Sequence, residues 1–282
     1  MLRAPNPFAV NFARNLPYTS FSPPMTHPPA TREVEIRHCS NLAEYDECVR
    51  LQHRVWGKDI VVPSAIFVVA QHTGGQVLGA FHGPALVGFS LALAAKRAGK
   101  PFLHSHMTAV LPGFTDRGVG RRLKLFQRQD AIKRGIDLIE WTFDPLELKN
   151  AHFNLVRLGA IARRFIPDCY GVTTSPLHAG LPTDRVVAEW WLNSERVKSI
   201  LADNALPTKD SVQRISLPSD LAEIKSGGAA ASIQTKARDE FQKLFAKGYV
   251  ATRVESADST VDYVLEPAAG IAGLNLHKFA ED

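Results

Sequence analysis

The chain predicts an α/β (α+β) fold: a mixed, mostly antiparallel sheet flanked by helices, with a small α+β extension towards the C-terminus. Three observations carry that prediction. Between Arg32 and Asn193, runs with the two-residue period of strands alternate with runs that have the 3.6-residue period of helices. Two apolar runs flank His82-Gly83-Pro84, the pattern of an antiparallel hairpin with a short turn. Beyond them, a strand-like stretch from His104 to Val110 passes through Pro112-Gly113 and Gly118-Val119-Gly120 into a long, basic, amphipathic helix.

Taken in order, residues 1–31 read as a disordered leader: seven prolines interrupt them, and no acidic residue precedes Glu33. Val34 to Cys39 reads as the first strand. Asn41, with Glu44 three residues on, starts a capped helix that ends near Gly57, with Tyr45, Cys48, Val49, Leu51 and Val55 on its buried side. A shorter helix, about Pro63 to His72, leads into the hairpin. After the glycine turn and its helix, Leu138 to Phe143 is apolar enough for a strand covered on both faces. Asp144 then reads as a helix cap and Pro145 as a first-turn residue, and Leu148, Ala151, Leu155 and Leu158 form the stripe that faces the core. Arg185 to Asn193 reads as a buried strand that completes the first sheet. A helix from Asn193 to Ala202 and a strand ending at Pro218 follow. Next come a helical stripe through Ile233, Ala237, Phe241, Leu244 and Phe245, stopped by Gly248, and two final strands. The domain reading is a leader over 1–31, a main domain over 32–195, an extension over 196–268 and a tail over 269–282.

A chain of 282 residues with 45% hydrophobic and 22% charged content can bury a substantial core, which argues against a disordered or fibrous class. No apolar run approaches the roughly 18 residues of a membrane span. The net charge of +5 suits nucleic acid, an anionic membrane surface or a polyanionic small molecule. No lysine block or series of stacking aromatics points to nucleic acid, so the partner reading is a small polyanion, with neither nucleic acid nor membrane. Cys39, Cys48 and Cys169 are too few and too scattered for a disulfide framework, and a reducing, cytoplasmic setting is the simplest inference. Nothing here sets the oligomeric state.

Gly118 and Gly120 lack a Cβ, so the backbone can approach a bound group, and the first N–H groups of the following helix point at it. The helix dipole adds roughly 0.3 to 1 kcal/mol for an anion there, and Arg117, Arg121 and Arg122 flank the turn. A phosphate or pyrophosphate fits that place. A plain strand-to-helix turn with solvated arginines is the alternative, because Gly-x-Gly alone is a weak signal. In register, however, Val110, Pro112, Gly118 and Gly120 resemble the acyl-coenzyme A loop of the GNAT superfamily, a strand ending in V-x-P followed by R/Q-x-x-G-x-G/A and a helix. Thr115 stands where that family usually has Arg or Gln. SHMTAVLP, WTFDPL, NAHFNL, LPTDR and EWW together resemble a branch of predicted acetyltransferases in that superfamily with a C-terminal extension.

The resemblance covers about residues 33 to 171. It implies a GNAT-like fold, acetyl-CoA or another acyl-CoA as co-substrate, and transfer of the acyl group to an amine acceptor by direct attack. The implied contacts with acyl-CoA are Ala109, Val110, Arg117, Gly118, Val119, Gly120, Arg121 and Arg122. Asn150 and Asn154, four apart on the following helix, are expected to share a face and reach the same ligand.

Acyl transfer needs an oxyanion donor, a base and an acid. Backbone N–H groups freed where two strands part near Ala109 and Val110 can supply the donor, worth about 2.7 to 4 kcal/mol in measured cases. His104 and His106 share a strand face at i and i+2 and titrate in the right range, with His152 a third candidate. Glu140 and Asp144 are carboxylate alternatives, Asp144 also as a helix cap. A His-x-His pair also suits a metal, but no third ligand stands at a telling spacing, so no metal is expected. The family's usual acid is a Tyr; its position here is Leu155, and Tyr170 is the nearest phenol in sequence. Three function classes remain: an acyltransferase, an acyl-CoA-binding module without turnover, and a basic protein that binds nucleic acid or another polyanion with the loop only structural.

Overall fold

Four strands form one wing of a single sheet: β1 (Glu35–His38), β2 (Gln76–His82), β3 (Ala85–Arg97) and β4 (Lys100–Val110), each antiparallel to the next, with tight turns joining β2 to β3 and β3 to β4. The structure is a computed structural model and describes residues 33–57, 61–171, 180–204, 211–224 and 229–271. The leader expected over 1–31 and most of the tail expected over 269–282 lie outside them. Between β1 and β2 come α1 (Leu42–Trp56) and α2 (Ser64–His72). The start of α1 is capped as its sequence requires: Asn41 Oδ1 accepts the Glu44 N–H at 3.0 Å, and the Glu44 carboxylate reaches back to the Ser40 N–H at 2.8 Å.

Both helices cover one face of this wing through Tyr45, Cys48 and Phe67 against Phe89 and Leu91. The opposite face takes α3 (Val119–Lys133), whose Val119 and Leu123 pack on Leu78, Ala80 and Val87. Because α3 crosses over the sheet, the next strand, β5 (Leu138–Phe143), runs parallel to β4. This is the parallel pair of an otherwise antiparallel sheet.

After β5 the helix begins later than its sequence suggests. The Asp144 carboxylate accepts the Leu146 N–H at 2.8 Å, an Asx-type turn that also holds Pro145, and α4 spans only Leu148–Ala151. A π-helical stretch, His152–Arg157, continues it. Then comes β6 (Ile161–Ile166), a strand absent from the sequence reading, in which two arginines interrupt the apolar alternation. β7 (Arg185–Trp191) lies between β5 and β6, antiparallel to both, and does not complete the sheet. Beyond β6 the same sheet continues through β9 (Tyr249–Ser256), β10 (Thr260–Pro267) and β8 (Gln213–Pro218), with β9 joined to β6 at the pair Ala162–Ala251. α5 (Glu195–Leu201), α6 (Leu221–Ile224) and α7 (Ala229–Ala246) are the remaining α-helices among the described residues.

Two side chains tie this continuation to the earlier elements. Buried Arg196 on α5 donates to the carbonyls of Leu155, Gly159 and Thr252, joining the π-helical turn to β9. Burial lowers its pKa to about 10, which still leaves it charged at neutral pH. Tyr263 on β10 is fully buried against Phe241 of α7 and donates its hydroxyl to the Pro145 carbonyl at 2.7 Å. Removing that donor leaves a buried carbonyl unsatisfied. Tyr263→Phe is therefore expected to lower unfolding stability by about 1 to 3 kcal/mol, seen as a lower denaturant midpoint at unchanged slope.

Candidate active site

The register between β4 and β5 consists of Leu103–Ile139 and His104–Glu140, after which the strands part. At the same level β4 carries a bulge. Ala92 pairs with Ser105 and Leu91 with Met107, so His106 is the extra residue. From there to Val110, β4 stays bound to β3 on one side and presents its other edge to the gap. The parting thus begins at Ser105, four residues before Ala109, where the sequence reading put it. His104 and His106 do come together, with ring centroids 6.3 Å apart. His104 is half-buried and His106 more open. Burial is the largest influence on both and lowers their pKa values, helped at His104 by the neighbouring His106 and opposed by Glu140.

The closed end of the gap is clamped by charge. Glu140 is buried on β5; Arg97 of β3 holds it through both carboxylate oxygens at 2.7 and 2.9 Å, and Arg164 of β6 adds a contact at 2.6 Å. Its register partner on β7, Glu189, takes Arg163 and Arg164, each at 3.1 Å. A second bulge, at Arg163, turns both arginines to one face. Burial alone raises the Glu140 pKa, but the two arginines overcome it and hold the carboxylate below its ordinary value. A carboxylate so held is a poor proton acceptor, so the expectation of Glu140 as a base gives way to a structural role.

Behind the gap, on the α3 side, lies a residue the sequence reading did not single out. Lys124 is 4% exposed, and its Nζ donates to Ser105 Oγ at 2.7 Å and to Gln127 Oε1 at 3.1 Å, 4.0 Å from the centre of the Trp141 ring. These are neutral partners, and burial lowers its pKa to about 7. The signal was present in the spacing: Lys124, Gln127 and Ala131, at i, i+3 and i+7, all fall on the buried side of α3.

At the N-terminus of α3, Gly118 adopts φ of 73°, a left-handed conformation that favours glycine. A Cβ there would meet nothing within 4 Å, and one at Gly120 would meet only Val110 Cγ2 at 3.9 Å. The space over the helix terminus is open. Arg117 lies over the Phe114 ring, Arg122 is 3.5 Å from Glu33, and Arg121 Nε is buried without a hydrogen-bond partner. Val119 and Ala109 are buried, so they offer this space backbone alone. The Thr115 hydroxyl donates to the Pro112 carbonyl at 2.7 Å and cannot replace the Arg or Gln of the GNAT pattern.

Other expected residues are spread more widely. Asn150 is exposed whereas Asn154 is buried, so the two are not equally open to one ligand. His152 is exposed. Tyr170 hydrogen-bonds Thr142 of β5 at 2.9 Å, past the parting, with Arg185 over its ring. Leu155 is fully buried in the core. Among the described residues, no three His, Cys, Asp or Glu side chains gather as metal ligands.

The order strand, two helices, three antiparallel strands, glycine turn, helix and parallel strand, with the parallel pair parting after two register pairs, is the one that the resemblance to the GNAT superfamily implies. The chain has a mixed α+β fold, a largely antiparallel sheet flanked by helices. No family model matches it, and no curated protein does. Solved structures similar to it include the ribosomal-protein-S18-alanine N-acetyltransferase of Escherichia coli, at 13% identity over 55% of this chain and 92% of that one, TM-score 0.45. A GNAT-family acetyltransferase of Streptococcus pneumoniae is similar at 16% identity, over 56% and 98% of the two chains, TM-score 0.46. Arabidopsis thaliana Naa50, in complex with the bisubstrate analogue CoA-Ac-MVNAL, is similar at 13% identity over 56% and 97%, TM-score 0.45. The likeness is one of fold and spans little more than half of this chain. Among the described residues no helix is long and apolar enough to cross a membrane.

Lys124 makes a prediction that needs no substrate. Its folded pKa, about 7, lies below the unfolded value near 10.5, so between those pH values the unfolded chain binds the extra proton. Stability from this group therefore rises with pH across that window, by at most about 1.4 kcal/mol per unit, and is lowest below pH 7. Unfolding of wild type and Lys124→Met at several pH values checks this: the variant is expected to be the more stable near pH 6, with its advantage shrinking towards pH 10.

Proposed function

We propose that this protein moves an acetyl or other acyl group from acyl-CoA to an amine acceptor by direct attack. The observation that carries the reading is the gap between β4 and β5, which opens above the free space at Gly118 and Gly120 on the N-terminus of α3. An elongated thioester with a pyrophosphate suits that geometry. The backbone N–H groups at the start of α3, with Arg117, Arg121 and Arg122, would hold the phosphates, and the unpartnered Arg121 Nε is a donor in need of an acceptor. The edge of β4 from Ser105 to Val110 supplies backbone groups for the remainder and, near the thioester, an oxyanion donor. Asn154 is less available for such a contact than the exposed Asn150.

Acyl-CoA supplies the activated carbonyl; the protein's own groups manage protons. His106 and His104 are the proposed bases, because burial keeps their imidazoles neutral and able to accept a proton from an ammonium acceptor. Tyr170 stays a candidate acid through its place beside Thr142. The segment 196–268 is proposed as an extension of the acyl-CoA-binding domain over 32–195, since its strands continue the sheet on the side away from the gap. A second reading, an acyl-CoA-binding module without turnover, is favoured by buried Leu155 at the family's Tyr position and by Thr115.

Gly120 provides the test, because its backbone accepts a side chain without strain while the side chain must enter the open space. Gly120→Glu is expected to keep its fold by circular dichroism and to lose more than about 100-fold in acetyl-CoA affinity by calorimetric titration, as a carboxylate set against phosphates costs several kcal/mol. Undiminished binding by the folded variant, or none by wild type at millimolar acetyl-CoA, overturns the acyl-CoA reading and favours a general polyanion binder. Release of CoA when amines are offered separates the enzyme from the binding module. In the enzyme, the acid limb of kcat/KM lies below the ordinary histidine pKa of about 6.5, since lowering the pH protonates the base. His106→Ala is expected to cost about 100-fold or more and to abolish that limb; wild-type rates and profiles in both His106→Ala and His104→Ala would remove histidine from the role.

A further inference from the structure

We infer that Lys124 is the proton donor to the departing thiolate of CoA, acting directly or through the Ser105 hydroxyl at the closed end of the gap between β4 and β5. The inference rests on the acyl-CoA reading above and deepens it. Ser105 and Trp141 are the first residues of their strands beyond the last register pair, His104–Glu140. Lys124 touches both, at 2.7 Å from Ser105 Oγ and 4.0 Å from the Trp141 ring centre. A single ammonium therefore stands at the vertex where the strands part.

Its surroundings give it no counter-charge. The groups that face it are Ser105 from β4, Trp141 from β5 and Gln127 from its own helix, and the titratable group that feels its charge is His104 across the sheet. A charge buried without a carboxylate is costly, and as a device of stability alone the arrangement has little to recommend it. A thiolate forming in the gap supplies the missing negative charge at the moment the C–S bond breaks, so the interaction strengthens in the transition state, where it lowers the barrier. The pKa near 7 matches an acid that must give up its proton at neutral pH. Leu155, buried where the GNAT pattern has its Tyr, has no proton to give.

The step balances. The acceptor nitrogen forms the C–N bond with its lone pair, the C–S pair goes to sulfur, and one proton moves from Nζ to sulfur. In the relayed form Ser105 passes its own proton to sulfur as it takes one from Nζ; since Oγ already accepts from Lys124, its hydrogen is free to point elsewhere. The surplus proton of the acceptor leaves through His106 or water. Lys124 ends neutral and is reprotonated from solvent after CoA departs.

Unacylated CoA is the probe, because thiolate absorbs in the ultraviolet and no acceptor need be known. Bound to the wild-type chain, part of its thiol is expected to ionise already where Lys124 itself loses its proton, near pH 7 and below the range of free CoA, because ammonium–thiolate and amine–thiol are then two forms of one coupled pair. In Lys124→Met and Lys124→Gln the shift disappears although calorimetry still registers CoA binding. A bound thiol that ionises in wild type as free CoA does, or identically in wild type and a binding-competent variant, overturns the inference and leaves the acyl-CoA reading standing. The wild-type measurement decides even where a variant does not fold. Absence of CoA binding by wild type overturns both.

Discussion

Two register pairs, Leu103–Ile139 and His104–Glu140, hold β4 to β5 and then let go. A sheet interrupted at its centre has to be secured by something other than its own ladder, because each strand there has lost backbone partners on one side. Glu140 provides that security. Arg97 reaches it from β3, over β4, and Arg164 from β6, over β7, so one carboxylate links the two wings at the vertex. Glu189 and Arg163 extend the network on the same face. Removing one member of such a buried set leaves uncompensated charge and costs about 3 to 5 kcal/mol in comparable cases. The ion network need not add net stability to justify its place; it fixes where the strands close and hence where they open.

The two bulges serve the same geometry. A strand alternates its side chains, so His106 beside Met107 and Arg163 beside Arg164 would ordinarily face opposite ways. One extra residue at each place gives two neighbours to one face and bends the strand. In β4 the bend coincides with the departure from β5; in β6 it brings a second arginine to Glu189.

Much of this frame was legible in the chain. The capped start of α1, the hairpin at Gly83-Pro84, the glycine turn before α3 and the stripe of α7 are local signals, and each is found where its residues demand. The misses share a cause: partners distant in sequence decide them. β6 is hidden in the sequence because Arg163 and Arg164 spoil its alternation, and only Glu140 and Glu189 explain why charges belong there. Spacing puts Asn150 and Asn154 together, and only the packing around the helix makes one exposed and the other buried. Glu140 looked like a free carboxylate, since nothing local announces Arg97, 43 residues away. Lys124 is inconspicuous in the sequence because long polar side chains at core spacing usually snorkel to water, and burial by Ser105 and Trp141 is a tertiary fact.

The sheet also separates the two proton-handling groups. His104 and His106 stand on the face that carries the arginine network, while Lys124 stands behind the vertex on the α3 side, and its charge is among the influences that lower the His104 pKa. On the proposed reading this division has a use. A base must be neutral to receive the acceptor's proton, and an acid must be protonated to release the thiol, at one and the same pH. A carboxylate beside Lys124 would keep it charged but raise its pKa beyond use, and one free to approach the histidines would raise theirs. Clamping Glu140 between Arg97 and Arg164 weakens its pull on His104, so the ion network that closes the sheet also leaves the neighbouring imidazole able to act.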